Sequence, residues 1–212
     1  GGSIFPGPAR VIGRLRRSAR GYVGRGGGLA APHAPREYLE QDEMRKRVKI
    51  AIGMGAGAIW SLFLLWVGGE LNLPVFSLVP IVFSAFLAPG VVMLLMVGRL
   101  AQRRFFDDAA IDGLPFEQGQ GGALDQRVLS NTVEQLILAL CLWPAAAVIL
   151  QGDGPGVIVA LGLGFAFARV VFWVGYHLSP PLRAFGFAAT FYPTVGVAAW
   201  AFWRLIAKLS AV

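Results

Sequence analysis

Three polar residues share one helical face inside an otherwise apolar stretch. In DQRVLSNTVEQLILAL, residues 125–140, Arg127, Asn131 and Glu134 are spaced i, i+4 and i+7. This spacing places all three side chains on one side of an α-helix. The three side chains are a guanidinium, an amide and a carboxylate on an otherwise apolar helix. Such a row indicates either a binding site or a structural polar face.

A second polar row follows in FARVVFWVGYHLSPPLR, where Arg169, Phe172 and Tyr176 are spaced i, i+3 and i+7 and Arg183 comes seven positions after the tyrosine. If the two helices run in opposite directions, Arg169 and Glu134 both lie on the order of 10 Å inside the apolar layer. Charges within a bilayer cost several kcal/mol unless they are paired or hydrated. We therefore expect these two groups to face protein and each other, either within one subunit or across two.

The composition explains what kind of elements must position these residues. The chain has 212 residues, of which 56% are hydrophobic and 15% charged, against about 25% charged in soluble domains. A membrane span needs roughly 20 mainly apolar residues. An all-α, polytopic membrane helical bundle is therefore predicted, with spans at about 48–67, 75–99, 128–150, 156–177 and 184–206.

The chain divides into three predicted parts. Residues 1–44 are rich in Gly, Arg and Pro and are expected to form a basic, disordered tail. Residues 45–70 are an additional transmembrane helix. Residues 71–212 form a membrane domain of four helices with a cytoplasmic loop at 100–126.

Basic residues set the predicted orientation. The net charge of +7 comes from Lys and Arg in the N-terminal part and in loops between spans, as expected when they fix membrane topology and not for nucleic-acid binding. We expect an integral protein of a bacterial inner membrane, with the N-terminus and the polar site on the cytoplasmic side. Trp66, Trp143 and Trp200 are then expected at the outer interface.

Two further features favour packing over chemistry. Gly53, Gly55 and Ala58 mimic a dinucleotide-binding turn, but an apolar helix follows, so Gly53 and Gly57 are interpreted as points of close helix approach. Cys141 is the only cysteine, which excludes an intrachain disulfide, and we expect it to be a small buried residue. No metal site is predicted.

The charge balance of the two polar rows leaves two interpretations open. A structural pair between Glu134 and Arg169 could join the helices while Arg127 and Arg183 reach the interface. Alternatively, three arginines against one carboxylate form a cationic pocket, which suits a small anion with two carboxylates and one ammonium group.

The combined pattern resembles a known family. R-x-x-x-N-x-x-E opens one span, A-R-x-x-x-x-x-G-Y closes the next, and an arginine follows seven positions later. Over residues 75–208 this order is similar to the MAPEG family, the membrane-associated proteins in eicosanoid and glutathione metabolism. The resemblance implies a four-helix unit that forms a homotrimer, with glutathione bound as a co-substrate between subunits near the cytosolic surface.

The resemblance also implies roles for single residues. Arg127, Asn131 and Glu134 match the glutathione-binding set of the second family helix, and Arg169 and Tyr176 match that of the third. Arg183 corresponds to the arginine that stabilises the glutathione thiolate in some members, so Arg183 and Tyr176 are the candidate catalytic residues.

Three positions depart from the family pattern. Gln135 stands where several eicosanoid-pathway members have Tyr, Phe172 replaces a polar ring, and Leu129 replaces a Gln. These departures count against a particular eicosanoid substrate more than against glutathione binding.

The predicted function is a glutathione-dependent membrane transferase or peroxidase that acts on lipophilic electrophiles or lipid hydroperoxides. Its expected partners are further copies of the chain, membrane lipid and a lipophilic small molecule. Two alternatives stay open: a non-catalytic glutathione- or lipid-binding protein of the same fold, and an unrelated small transporter.

Overall fold

The computed structural model describes residues 36–211, and every regular element in that range is helical. Five helical segments have the length and apolar composition of a membrane span, which confirms an all-α integral membrane protein with one helix ahead of a four-span unit. The second span consists of two helices, α2 and α3. The helices are α1 (Arg36–Glu70), α2 (Leu78–Ala85), α3 (Leu87–Phe105), α4 (Asp108–Ile111), α5 (Gly121–Ile149), α6 (Gly154–Leu178) and α7 (Pro180–Leu209).

Helix ends differ from the predicted boundaries because helices continue into polar sequence. Helix α1 begins at Arg36, within the predicted tail of residues 1–44, and the other tail residues lie outside the described range. The loop between α3 and α5 covers only residues 106–120, not 100–126. Arg103 and Arg104 lie in the last turn of α3, where cations interact favourably with the helix dipole.

Proline breaks the second span near its middle. Pro89 has no N–H to donate to the carbonyl of Ala85, and its ring clashes with that carbonyl in a regular helix. The chain turns at Phe86, between α2 and α3. The carbonyl of Ala85 lies directly against Gly162 of α6, where any side chain would collide with it. The break therefore lets α6 pack closely against this span.

The additional helix α1 packs against α7 through small residues, as predicted for Gly53 and Gly57. A side chain on Gly53 would collide with the carbonyl of Pro181, and one on Gly57 would collide with Ala188. Close backbone approach of this kind is typical of membrane helices, where van der Waals packing holds helices together. Both glycines therefore serve helix packing.

Two residues of α5 occupy environments opposite to those predicted. Trp143, expected at the interface, is 1% exposed, and its Nε1 donates to Thr194 Oγ1 at 3.3 Å. Its ring stacks on Phe86 at 5.4 Å between centroids. Cys141, expected to be buried, is exposed. Both predictions were wrong because burial depends on which side of α5 faces the other helices.

A tight hairpin connects α6 and α7 at Ser179. The backbone at Arg183 lies against Gly175, and the backbone of Phe172 lies against Gly186, with no room for a side chain at either glycine. The hairpin therefore holds the end of α6 beside the start of α7, which is where the second polar row is located.

Candidate functional site

Arg169 lies at the centre of the polar cluster, and its side chain is 0% exposed. Nη1 donates to Asn131 Oδ1 of α5 at 2.9 Å, and Nη2 donates to Thr190 Oγ1 of α7. One guanidinium thus connects three helices. Because each of these bonds is charge-assisted, it is stronger than a bond between neutral groups.

Aromatic rings cover the same guanidinium. Its carbon lies 4.5 Å from the ring centroid of Phe172 and 5.5 Å from that of Phe165, within the range of cation–π attraction. Among the described residues no carboxylate forms an ion pair with Arg169, and its Nε has no hydrogen-bond partner. The charge is therefore stabilised by an amide, a hydroxyl and two ring faces.

Glu134 does not contact Arg169 directly within one chain. Asn131 lies between them: its Nδ2 donates to Glu134 Oε2 at 3.4 Å while its Oδ1 accepts from Arg169. The reason is orientation on α5, since Asn131 turns partly inward and Glu134 is exposed. The Asn131 amide therefore bridges the buried Arg169 guanidinium and the exposed Glu134 carboxylate by two hydrogen bonds.

Tyr176 and Arg183 form a second part of the cluster. The guanidinium carbon of Arg183 lies 5.0 Å from the ring centroid of Tyr176. Phe172 joins the two parts, because its ring meets the Tyr176 ring edge-to-face at 5.1 Å and also contacts Arg169. Arg183 is exposed, so its charge is accessible to a ligand.

Arg127 is not joined to the other predicted site residues by any contact in the described part of the chain. Its side chain is exposed and lines a cleft of about 490 Å³ under the loop that follows α4, together with Arg104 and Phe116. The structure thus brings together five of the six predicted residues and leaves Arg127 separate on the same helix.

Sequence reasoning missed a second polar cluster, centred on Asp125. This residue is 3% exposed; Oδ1 accepts from Trp173 Nε1 at 2.8 Å and lies 2.9 Å from His177 Nε2. Oδ2 lies 2.5 Å from Arg103 Nε as an ion pair, without the geometry of a hydrogen bond. One carboxylate therefore connects α3, α5 and α6.

A sequence signal for the Asp125 cluster did exist. Trp173 and His177 are spaced i, i+4, so they share one face of α6, and Asp125 and Arg103 lie at the ends of the two neighbouring spans. Asp125 and Arg103 lie far from the Trp173–His177 pair in the sequence, so spacing along one helix does not connect the four residues. Only the arrangement of the three helices identifies their common partner.

The main cluster offers complementary groups to a polar ligand. Glu134 presents an exposed carboxylate that can accept from an ammonium group, and Arg183 presents an exposed cation that can stabilise an anion. Asn131 and Tyr176 supply an amide and a hydroxyl between them. Such a set fits a zwitterionic molecule that also carries an acidic group.

Comparison with known proteins agrees with the resemblance in the motifs. The model of the MAPEG family matches residues 77–203. The match falls on the four C-terminal spans and excludes all of α1. Neither the comparison with curated proteins nor that with solved structures gives a match.

Proposed function

Because the chain belongs to the MAPEG family, which includes glutathione-dependent transferases and peroxidases, we propose that it transfers glutathione to lipophilic electrophiles or reduces lipid hydroperoxides with it. The observation that carries the proposal is the hydrogen-bonded row from Arg169 through Asn131 to Glu134. This row holds an amide and a carboxylate in fixed positions, and the exposed Arg183 is linked to it through Tyr176 and Phe172.

The ligand groups of glutathione can be assigned to these side chains. In our proposal the Glu134 carboxylate accepts from the γ-glutamyl ammonium group, and Asn131 binds a peptide amide. Arg169 is buried, so it acts as a positioning residue that orients Asn131. Arg127 and Arg183 are exposed and are the arginines available to the two carboxylates and the thiol.

The exposure of Glu134 supports a site shared between copies of the chain. Glu134 lies roughly 20 Å along α5 from Gly121, at about 1.5 Å per residue, and is exposed in the single chain. An ionised side chain at the centre of a transmembrane helix costs about 2.5–3.5 kcal/mol on insertion scales. A second copy that covers this face would shield Glu134 from lipid, in keeping with the homotrimer we propose.

The proposed chemistry depends on the acidity of the thiol. A free thiol with a pKa of about 8.5 is only ~3% thiolate at pH 7, and the Arg183 guanidinium would increase that fraction. In the transferase reaction the thiolate sulfur forms a bond to an electrophilic carbon as the leaving group departs with its electron pair. In the peroxidase reaction the thiolate sulfur attacks the terminal oxygen of the hydroperoxide, the O–O bond breaks, and the alkoxide leaves and is protonated to the lipid alcohol. The thiol of a second glutathione then attacks the resulting sulfenic acid, which gives glutathione disulfide and water.

Position in the membrane favours lipophilic substrates. The site lies on transmembrane helices, so a lipid-soluble substrate can reach it from the bilayer while glutathione arrives from water. The distribution of basic residues supports a cytoplasmic location for Arg183 and the loop at 106–120. We propose this orientation together with the inner membrane of a bacterium as the location.

Calorimetric titration with glutathione and a turnover assay with an aryl halide or cumene hydroperoxide test the proposal. We expect saturable binding and thiol consumption by the wild type, and at least tenfold weaker binding by Glu134→Gln, since a charged contact contributes about 1.5–3 kcal/mol. Binding without turnover would support a non-catalytic member of the family. No binding at all would contradict the proposal.

A further inference from the structure

The Asp125 cluster lies at the base of a cleft that the proposed glutathione site does not use. The cleft has a volume of about 320 Å³ and lies between the end of α3 and the end of α6. Arg99, Arg103, Trp173 and His177 line it around Asp125. Basic and aromatic side chains therefore surround an open space at one end of the bundle.

The Asp125 carboxylate in this cleft is already paired with protein groups. Both oxygens of Asp125 lie against protein groups, Oδ1 against Trp173 and His177 and Oδ2 against Arg103 Nε. Arg99 is exposed, and its one hydrogen bond to the described residues goes to the neutral amide of Gln102 at 3.1 Å. With one carboxylate against two arginines, the cleft keeps a net positive charge even when His177 is neutral.

A neighbouring cleft of about 420 Å³ extends the positive region to the start of α5. It shares Arg99 and Arg103 and is also lined by Gly121 and Gly122. The Arg103 guanidinium lies so close to Gly121 that a side chain there would collide with it. The free N–H groups and the dipole of a helix N-terminus favour anions.

The carboxylate of Asp107 also lines the second cleft and adds a negative charge there. Its Oδ1 accepts from the backbone N–H groups of Ala109 and Ala110 at 3.1 and 3.0 Å, which caps α4. Its hydrogen bonds are therefore directed towards α4. The net positive charge therefore belongs to the first cleft, where Arg99 and Arg103 face the single carboxylate of Asp125.

Apolar side chains at the same end of the bundle identify the surroundings as a membrane interface. Val174 lines the first cleft and is 42% exposed, while Phe105 and Leu178 at the helix ends are 69% and 73% exposed. Side chains at the ends of spans lie where lipid headgroups meet acyl chains. An anionic lipid matches these surroundings, because it combines a negative headgroup with apolar chains.

We propose that Arg99 and Arg103 bind the phosphate of an anionic phospholipid in this cleft. Arginine binds phosphate oxygens in bidentate geometry, and the Trp173 ring and Val174 contact the glycerol and upper acyl chain. A zwitterionic headgroup would add a cation next to two arginines, so an anionic lipid is preferred. This site is independent of the proposed glutathione chemistry.

Lipid binding by the full chain in phosphatidylcholine nanodiscs tests the assignment. Increasing fractions of brominated phosphatidylglycerol are added. Because the chain has six tryptophans and Trp66 and Trp203 are exposed, the part of the quenching that is lost in Trp173→Phe reports occupancy next to Trp173. We expect saturable quenching by wild type and about tenfold weaker affinity for Arg99→Gln. Arg99 is exposed and contacts only Gln102 among its hydrogen-bond partners in the described chain, so the substitution should leave the fold intact.

Arg104→Gln is the matched control, because Arg104 lies on the same helix but lines the cleft under the loop and not this one. Its affinity for phosphatidylglycerol should equal that of the wild type. Equal losses in both variants, or no preference for phosphatidylglycerol, would overturn the proposal. Displacement of the lipid by glycerol phosphate would also overturn it, because it would indicate a site for free phosphate. Displacement by glutathione would overturn it as well, because it would assign the cleft to the co-substrate.

Discussion

The Arg183 guanidinium lies over the ring of Tyr176, with 5.0 Å between the guanidinium carbon and the ring centroid. The two residues are on different helices, and the hairpin at Ser179 brings them together. Contact with the ring holds the guanidinium near the tyrosine hydroxyl while leaving the charge exposed. In our proposal, Arg183 and Tyr176 form the mouth of the glutathione site.

Replacing Arg183 should affect the reaction more than binding. Without the guanidinium, the pKa of the bound thiol should rise towards its free value, and a change of one unit lowers the thiolate fraction about tenfold. For Arg183→Ala we expect turnover at pH 7 to fall by roughly tenfold or more, with a smaller change in glutathione affinity. Rates measured from pH 6 to 9 should recover as the pH rises.

Arg183→Lys serves as the control, since it keeps the charge but not the planar guanidinium. We expect an intermediate rate and a pH profile between those of the wild type and Arg183→Ala. Losses of equal size in affinity and turnover, with an unchanged pH profile, would rule out a thiolate-stabilising role.

Thr190→Val should destabilise the fold by leaving the buried Arg169 guanidinium short of one acceptor. An unsatisfied charged donor costs about 1–3 kcal/mol or more. Arg169→Met removes the charge, so the double variant should lose less stability than the sum of the two single variants. Urea unfolding in detergent micelles measures the free energy of unfolding of Thr190→Val, Arg169→Met and the double variant.

Thr132→Val is the control for this series. Thr132 is also 0% exposed, but its hydroxyl bonds only to the carbonyl of Val128 within α5 among described residues. We expect a smaller loss than for Thr190→Val. Additive effects of the Arg169 and Thr190 substitutions would show that their contact contributes no coupling.

Gly57→Leu should weaken the packing of α1 on α7. A side chain at this position meets Ala188, and overpacking typically costs about 1–3 kcal/mol. Gly55→Leu is the matched control, since nothing lies within 4 Å of a side chain there and leucine favours helix formation. Thermal unfolding should show a lower Tm for Gly57→Leu only. The same Tm in both variants would mean that close packing of α1 on α7 at Gly57 does not stabilise the fold.

The polar rows illustrate how far sequence periodicity carried the site prediction. Spacing of three or four residues placed Asn131 with Glu134, and Arg169 with Phe172, on single helical faces, because helix geometry is local. The same reasoning could not tell that Asn131 stands between the two charges. That contact depends on how α5 and α6 are rotated against each other, which long-range packing decides.

What the sequence by itself determined is the membrane class, the number of spans, the family resemblance and the faces that carry polar groups. These properties follow from apolar run lengths and from local helix geometry. The tertiary structure alone decided that Trp143 is buried and Cys141 exposed. It also decided that Asp125 joins three helices, since helix rotation and the break at Pro89 result from contacts between residues distant in the chain.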